Sequence, residues 1–214
     1  MFTIGKERMS VGDKLHEISE LLLNKEMSSA SSLAKELPQP PVTTIKFPVL
    51  RKSTSTTGAK IVKAPSLVPR QKIEIYKRDG FICRYSPERF KLLHPGAIRV
   101  LSILLPIEIP TELSSHNIPA KYATNSPIWF DIWPAVDHFV PKASGGSNVD
   151  DNLVCCSWWR NDSKKAIPFE DTGWVLGDRG NLSEWDGLTG WLKKMIEKNP
   201  ELANDVMVRN WMYF

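Results

Sequence analysis

The sequence predicts an α+β fold in which a short β-hairpin and the helix after it are packed by flanking helices. The main observation is the order strand–loop–strand–helix: an apolar run ending near Pro141, a Gly145-Gly146 turn, the apolar run NLVCC and the helical run SWWRNDSKKA. Helical patterns occur on both sides of this unit. Sixteen prolines in 214 residues also argue for many loops and few long helices.

Three segments are expected along the chain. Residues 1–37 form an N-terminal helical segment, as one helix or two short ones, with Asp13 as a candidate N-cap. Residues 38–69 are rich in Pro, Ser, Thr and Lys and have no clear period, which predicts an extended linker or an arm that orders on a partner. Residues 70–214 form the compact domain, which ends in a C-terminal helical extension.

Further elements are expected inside the compact domain, on either side of the hairpin unit. Apolar periodicity and turn residues set their limits. They are a helix over Gln71–Arg78, a turn at Asp79-Gly80, a strand over Phe81–Arg84, a buried helix in GAIRVLSILLP, loops over 107–128 and a helix in GLTGWLKKMIEKN.

Positive charge is concentrated in one part of the chain. The net charge is +4, but residues 45–91 hold twelve Lys/Arg and three acidic residues, whereas the remainder holds sixteen basic and twenty-one acidic residues. Such a block suggests a polyanionic partner, usually nucleic acid. A solvated and partly disordered linker explains the same charge equally well.

Cysteine usage and the absence of long apolar runs indicate a reduced, soluble, cytoplasmic protein. There are three cysteines, and two of them, Cys155 and Cys156, are adjacent and therefore poorly placed to bridge each other. The first residues, MFTIGKERMSVGDK, contain no apolar run typical of a secretory signal. The longest apolar run, AIRVLSILLPIEI, is too short to span a bilayer and contains Pro106, so no membrane partner is expected.

The hairpin unit carries polar residues at defined places, and they provide the functional signal. They are Asp137-His138 on the first strand, Gly145-Gly146 in the turn, Asp151-Asn152-Leu153 at the loop exit, and Asn161 and Lys164 on the helix. With the preceding segment YKRDGFICRYS, this pattern resembles the HNH endonuclease family, whose fold is the ββα-metal or His-Me finger. The resemblance runs from about Arg70 to Lys165, and its core spans Val136 to Lys165.

The resemblance implies a metal-dependent hydrolase of DNA phosphodiester bonds. Neutral imidazole has a pKa of about 6.5 and can take a proton from water, so His138 is the expected general base. Asp137 and Asn161 would offer oxygen ligands to one divalent cation, Mg²⁺, Mn²⁺ or another, which polarises the phosphate and stabilises the leaving oxygen. Successive strand residues point to opposite faces, so Asp137 and His138 share one site only if the strand twists or ends there, or if the ion lies to one side.

Other positions take their expected roles from the same resemblance. Asn152 would tie the loop together through backbone hydrogen bonds and so orient the histidine strand. Lys164, three residues beyond Asn161 on one helix face, would contact a phosphate oxygen and add positive charge in the transition state. Contacts to the nucleic-acid backbone are expected from eight basic residues: Arg70, Lys72, Lys77, Arg78, Arg84, Lys142, Arg160 and Lys165.

Many members of this family also hold a structural zinc ion on two Cys-x-x-Cys pairs. The corresponding positions here are Cys83, Ser86, Ser157 and Arg160, so one of four thiolates remains. Structural zinc requires four closed N or S ligands, and we therefore expect none. Packing of large side chains would replace it, with tryptophans as the candidates: Trp129, Trp133, Trp158 and Trp159.

Two alternatives belong to different classes of function. One is a non-catalytic nucleic-acid-binding module that retains the hairpin; it would bind without turnover. The other is a nuclease that acts on RNA or on structured junctions. For the DNA nuclease, double-stranded DNA is the expected partner, and a homodimer or a larger restriction or defence complex is compatible with the motif.

Overall fold

A computed structural model describes residues 11–37, 66–105 and 131–214. In these residues the helices are α1 (Val11–Leu23), α2 (Met27–Lys35), α3 (Pro69–Arg78), α4 (Pro95–Leu104), α5 (Trp158–Lys164), α6 (Thr189–Lys198) and α7 (Val206–Asn210), and the strands are β1 (Pro134–His138) and β2 (Leu153–Ser157). The α+β class and the order strand–loop–strand–helix are confirmed. The expectations for residues 38–65, for the loops at 107–128 and for Trp129 lie outside the described residues.

The two strands pair in antiparallel fashion, with Asp137 opposite Val154 and His138 opposite Leu153. A two-stranded hairpin is marginally stable by itself in water, so it depends on the elements packed against it. Both α3 and α5 contact both strands. The helices therefore fix the position of the end of β1, where Asp137 and His138 lie.

The outer edge of β2 is covered by the segment that follows α3. The Cys155 N–H donates to Asp79 Oδ2 at 2.9 Å, and the Cys155 carbonyl accepts from the Arg84 N–H at 3.0 Å. The Ser157 N–H, further along the same strand, donates to Cys83 Sγ at 3.2 Å. These contacts satisfy the backbone groups that an open sheet edge would leave exposed.

The predicted strand over Phe81–Arg84 is wrong. Asp79-Gly80 does form the expected turn, but Gly80 and Phe81 both have positive φ, 64° and 50°. After this turn Ile82 makes a single isolated bridge to Lys91. The segment hydrogen-bonds in turn to Phe90 and to β2, so no continuous ladder with one partner forms.

The N-terminal segment consists of two helices that dock on the rest of the protein. Trp191 Nε1 of α6 donates to the Ser19 carbonyl of α1 at 2.7 Å, and Lys198 Nζ donates to the Leu23 carbonyl at 3.2 Å. The expectation that Asp13 caps the first helix is wrong, because α1 already includes Val11 and Asp13. The Asp13 carboxylate instead pairs with the Lys91 ammonium group.

The buried apolar side chains form one core cluster shared by the N-terminal helices, the hairpin and residues 166–214, which we call the C-terminal extension. Trp133 and Trp158 are buried in it, and Trp159 packs against it. Trp185 and Trp191 supply further buried rings from the C-terminal extension. In the part of the chain described here, no helix has both the length and the apolar character needed to cross a membrane.

His94 is fully buried at the start of α4 and makes part of the fold's stability dependent on pH. Its Nδ1 accepts a hydrogen bond from the Gly96 N–H at 3.1 Å, and its ring contacts Phe81 and Phe214. Burial lowers the pKa of His94 from 6.5 to about 4. Below pH 6.5 the unfolded chain binds a proton there that the folded protein does not, so the stabilisation present above pH 6.5 is lost as pH falls toward 4.

We expect His94→Asn to flatten this acid dependence, because Asn keeps an acceptor at the N-cap and does not titrate. The free energy of unfolding, measured by urea denaturation at pH 7.5 and pH 5, should fall in the original protein by about 2 kcal/mol more than in the variant. Parallel pH profiles for the two proteins would contradict a neutral, buried His94.

Candidate active site

The carboxylate of Asp137 points into the protein and is held by two donors on one oxygen. Tyr85 Oη donates to Asp137 Oδ2 at 2.8 Å, and Lys164 Nζ contacts the same Oδ2 at 2.8 Å. Asp137 is 6% exposed, and the Tyr85 and Lys164 side chains are fully buried. A carboxylate removed from water needs such partners to remain ionised.

Burial and neighbouring charge act on these groups in opposite directions. Burial raises the pKa of the Asp137 carboxyl above its ordinary value, and the Lys164 charge and the Tyr85 hydrogen bond partly offset this effect. The pKa of the Tyr85 hydroxyl is strongly raised, first by burial and then by the negative charge of Asp137. Tyr85 therefore remains a neutral hydrogen-bond donor over the physiological pH range.

The imidazole of His138 is oriented by the loop between the strands. His138 Nε2 lies 2.8 Å from Asn148 Oδ1. A carboxamide oxygen accepts hydrogen bonds, so Nε2 is the donor in this contact and Nδ1 lies outside it. The strand ends at His138, which is half-buried, whereas Asp137 is buried. A strand end at this point is one of the three arrangements that would let Asp137 and His138 share a site, and it is present.

Asn152 and Gly146 hold the loop in shape. Asn152 accepts from the Val140 N–H at 2.7 Å and donates to the Val140 and Ser147 carbonyls at 3.1 and 2.9 Å. These contacts match the expected loop-tying arrangement. A Cβ added at Gly146 would lie 1.8 Å from the Val140 carbonyl oxygen, so only glycine fits there. Gly145 has φ of 89° and completes the turn.

Asn161 lies on α5 one turn before Lys164, so the two side chains share a helix face. Lys164 reaches β1, and α5 as a whole packs on that strand. Asn161 is half-buried, and its carboxamide makes no hydrogen bond within the described residues. Its oxygen is therefore a hard donor, unused within the described residues, on the helix face that it shares with Lys164.

The expectation that Lys164 contacts a substrate phosphate requires correction. Its side chain is 0% exposed, and Nζ is engaged by Asp137 and by the His138 carbonyl, at 2.8 Å in each case. Lys164 thus links the carboxylate of one residue to the backbone of the next. Lys164 therefore stabilises the end of β1 from inside the protein.

Several basic residues expected at a nucleic-acid interface are also turned inward. The guanidinium groups of Arg78 and Arg84 lie beside the fully buried Asp79 carboxylate, at 2.9 and 3.9 Å. Arg78 also donates to the carbonyl oxygens of Asp150 and Leu153, and Arg84 donates to that of Gly177. Arg78 and Arg84 therefore stabilise the fold, because the Asp79 carboxylate and backbone carbonyl oxygens accept from their guanidinium groups.

The other expected backbone contacts differ in exposure. Arg70 and Lys165 are exposed, and Lys142 is half-buried. Lys77 pairs with Glu74 at 3.7 Å, and burial lowers the pKa of Lys72. For these five residues a role in binding nucleic acid stays a prediction.

A cavity of about 220 Å³ opens between the hairpin loop and the arginines around Asp79. Arg179, which the sequence did not single out, lines it and lies 3.4 Å from Asp79. Phe139 also lines the cavity, but so do Asp150 and Asp151, whose charges offset those of the arginines.

The four positions corresponding to zinc ligands in the HNH family lie in contact with one another. Cys83 Sγ accepts from the Ser157 N–H, the Ser86 N–H donates to the Cys83 carbonyl, and the Arg160 N–H donates to Ser157 Oγ at 3.3 Å. The Arg160 guanidinium lies 4.9 Å from the centre of the Trp174 ring, and its Nε is buried. A role for Arg160 in binding nucleic acid stays a prediction. The absence of structural zinc stays a prediction.

Asp137 and Asn161 together offer one carboxylate and one carboxamide, hard oxygen donors of the kind that Mg²⁺ and Mn²⁺ prefer. Both side-chain donors to Asp137 use Oδ2, and the His138 backbone also hydrogen-bonds to this carboxyl group. Over the described ranges no group of three or more His, Cys, Asp or Glu side chains is placed to hold a metal. Any ion at this site would depend on water and substrate for most of its ligands.

Sequence reasoning missed Tyr85 and Asn148, the partners of Asp137 and His138. Tyr85 lies in the segment before the hairpin and Asn148 lies inside its loop. No periodicity or spacing in the sequence pairs either residue with Asp137 or His138.

Comparisons of the chain with protein-family models, with curated proteins and with solved structures give no significant match.

Proposed function

We propose that this protein is a metal-dependent endonuclease of the HNH type that hydrolyses phosphodiester bonds in DNA. The observation that carries the proposal is one hairpin–helix unit that combines three groups. They are the clamped carboxylate of Asp137, the oriented imidazole of His138 and the unused carboxamide of Asn161. Residue types and topology agree with the ββα-metal arrangement that the sequence resembles.

His138 would act as the general base. Its contact with Asn148 engages Nε2 and leaves Nδ1 as the nitrogen that would accept the proton. An imidazole held in one orientation can take a proton from a water molecule that attacks the phosphorus atom. Asn152 supports this role indirectly, because its bonds to Val140 hold the backbone that follows His138.

Asp137 and Asn161 would hold the divalent ion, which polarises the scissile phosphate and stabilises the leaving oxygen when bound. The chain contributes a carboxylate oxygen whose position is fixed by Tyr85 and Lys164. Asn161 contributes a neutral oxygen, so the site keeps little excess negative charge against an anionic substrate.

DNA is the proposed substrate because of the positive block at residues 45–91 and the exposed Arg70 and Lys165. Contacts of this kind bind the phosphate backbone without reading sequence, and their affinity falls steeply with salt. Arg78 and Arg84 are already engaged by Asp79 and by backbone carbonyl groups, so the proposal does not depend on them.

Nicking of supercoiled plasmid tests the proposal directly. We expect conversion to the open circular form with Mg²⁺ and none with EDTA, since the reaction requires the ion. Parallel incubations with duplex DNA, single-stranded DNA and RNA distinguish a DNA nuclease from one acting on RNA. Tight binding of DNA with equal, background-level cleavage in Mg²⁺ and EDTA would favour the non-catalytic module instead.

A further inference from the structure

We propose that Tyr85 is a positioning residue that fixes the Asp137 carboxylate for cation binding. This inference rests on the proposed function, since it concerns the same site. The Tyr85 hydroxyl donates to Asp137 Oδ2 at 2.8 Å across 52 positions of sequence. The bond connects the segment before the hairpin directly to the candidate metal ligand.

Two donors converge on Asp137, and they differ in what they supply. Lys164 brings a positive charge to Oδ2, whereas the neutral hydroxyl of Tyr85 brings direction without charge. A carboxylate held by two donors from different elements has little freedom to rotate. Its second oxygen is then presented in one orientation, which is what a ligand-poor metal site needs.

The ring of Tyr85 is itself held rigidly by aromatic side chains of the C-terminal extension. Its centre lies 5.1 Å from that of Phe169 and 5.7 Å from that of Trp174. Phe169 in turn contacts Phe139, the residue after His138, at 4.6 Å between ring centres. The C-terminal extension therefore packs against Tyr85, which bonds to Asp137, and against Phe139 at the end of β1. We assign it a role in forming the site.

Tyr85→Phe is the clean test, because it removes the hydroxyl and leaves the charge and the ring packing unchanged. Loss of a hydrogen bond that orients a metal ligand typically lowers metal affinity by about 10–100-fold. We therefore expect Mn²⁺ affinity, measured by electron paramagnetic resonance on the full chain, to fall by that factor. Plasmid nicking by the variant should recover at saturating Mn²⁺.

Tyr76→Phe is the matched control. Tyr76 is also buried, and its hydroxyl donates to the carbonyl of Pro134, at the opposite end of β1, at 3.2 Å. Its loss should leave Mn²⁺ affinity within about twofold, because no metal ligand is touched. Thermal melts of both variants show whether each is folded at the assay temperature.

The outcomes separate the two proposals. Mn²⁺ binding by the original protein, with weaker binding by Tyr85→Phe alone, supports the positioning role. Equal affinity in the original protein and Tyr85→Phe overturns that role and leaves the proposed function standing, as does an equal loss in Tyr85→Phe and Tyr76→Phe. If the original protein binds no Mn²⁺ with or without DNA, the proposed function fails and this inference fails with it.

Discussion

Replacing His138 with alanine is expected to reduce plasmid nicking by about 10²–10⁴-fold, the usual contribution of a general base. The imidazole is half-buried and oriented by Asn148, so its removal takes away the proton acceptor and little of the core. Initial nicking rates in Mg²⁺, with thermal melts of the same preparations, measure the effect.

His16→Ala is the appropriate control for this variant. His16 is exposed on α1, and its ring packs edge-to-face against the Trp185 ring. His16 makes no contact with the hairpin among those that the structure gives it. Its replacement should leave the nicking rate unchanged. Similar rates for His138→Ala and His16→Ala would contradict the role given to His138.

Replacing Lys164 with methionine is expected to lower the free energy of unfolding by about 3–5 kcal/mol, because it leaves the Asp137 carboxylate buried without its counter-charge. It also removes the bond from Nζ to the His138 carbonyl. Urea denaturation monitored by tryptophan fluorescence measures this change in stability.

The neighbouring residue provides the control. Lys165 is exposed, so Lys165→Met should change stability by no more than about 0.5 kcal/mol. Adding Asp137→Asn to Lys164→Met should recover part of the loss, since the buried charge is then absent as well. Equal effects of Lys164→Met and Lys165→Met would mean that Lys164 faces solvent, and its expected phosphate contact would return.

The hairpin unit could be predicted from the sequence because local signals agree there. Two short apolar runs flank a Gly-Gly turn, and helical residues follow the second run directly. Asn152 could be assigned to the loop through the family resemblance, and a carboxamide suits that role because it both donates and accepts. Gly146 lies in the predicted turn, and the structure adds the close approach to Val140 that requires glycine there.

The depth at which charged side chains lie could not be predicted. Spacing placed Lys164 on the face of Asn161, but lysine is normally exposed, and only the packing of α5 on β1 buries it against Asp137. Arg78 and Arg84 likewise suggested a polyanion partner. The carboxylate that attracts them, Asp79, is buried only because the turn after α3 covers the edge of β2.

Tyr85 shows a second limit of sequence reasoning. It lies in the segment predicted as preceding the motif, and nothing in its spacing connects it to Asp137. The contact arises because the Arg84 N–H bonds to the Cys155 carbonyl of β2, which places Tyr85, the next residue, within reach of Asp137 on β1. The rings that hold it come from the C-terminal extension, which the family resemblance does not cover.

Anomalous X-ray diffraction from crystals of the His138→Ala protein with Mn²⁺ and a short DNA duplex would locate the proposed ion. We expect one anomalous peak within about 2.0–2.6 Å of a carboxylate oxygen of Asp137 and the carboxamide oxygen of Asn161, the range for oxygen ligands of divalent ions. A DNA phosphate oxygen should complete the contact. Mn²⁺ bound elsewhere, with Asp137 and Asn161 both remote from it and from the DNA, would contradict the account.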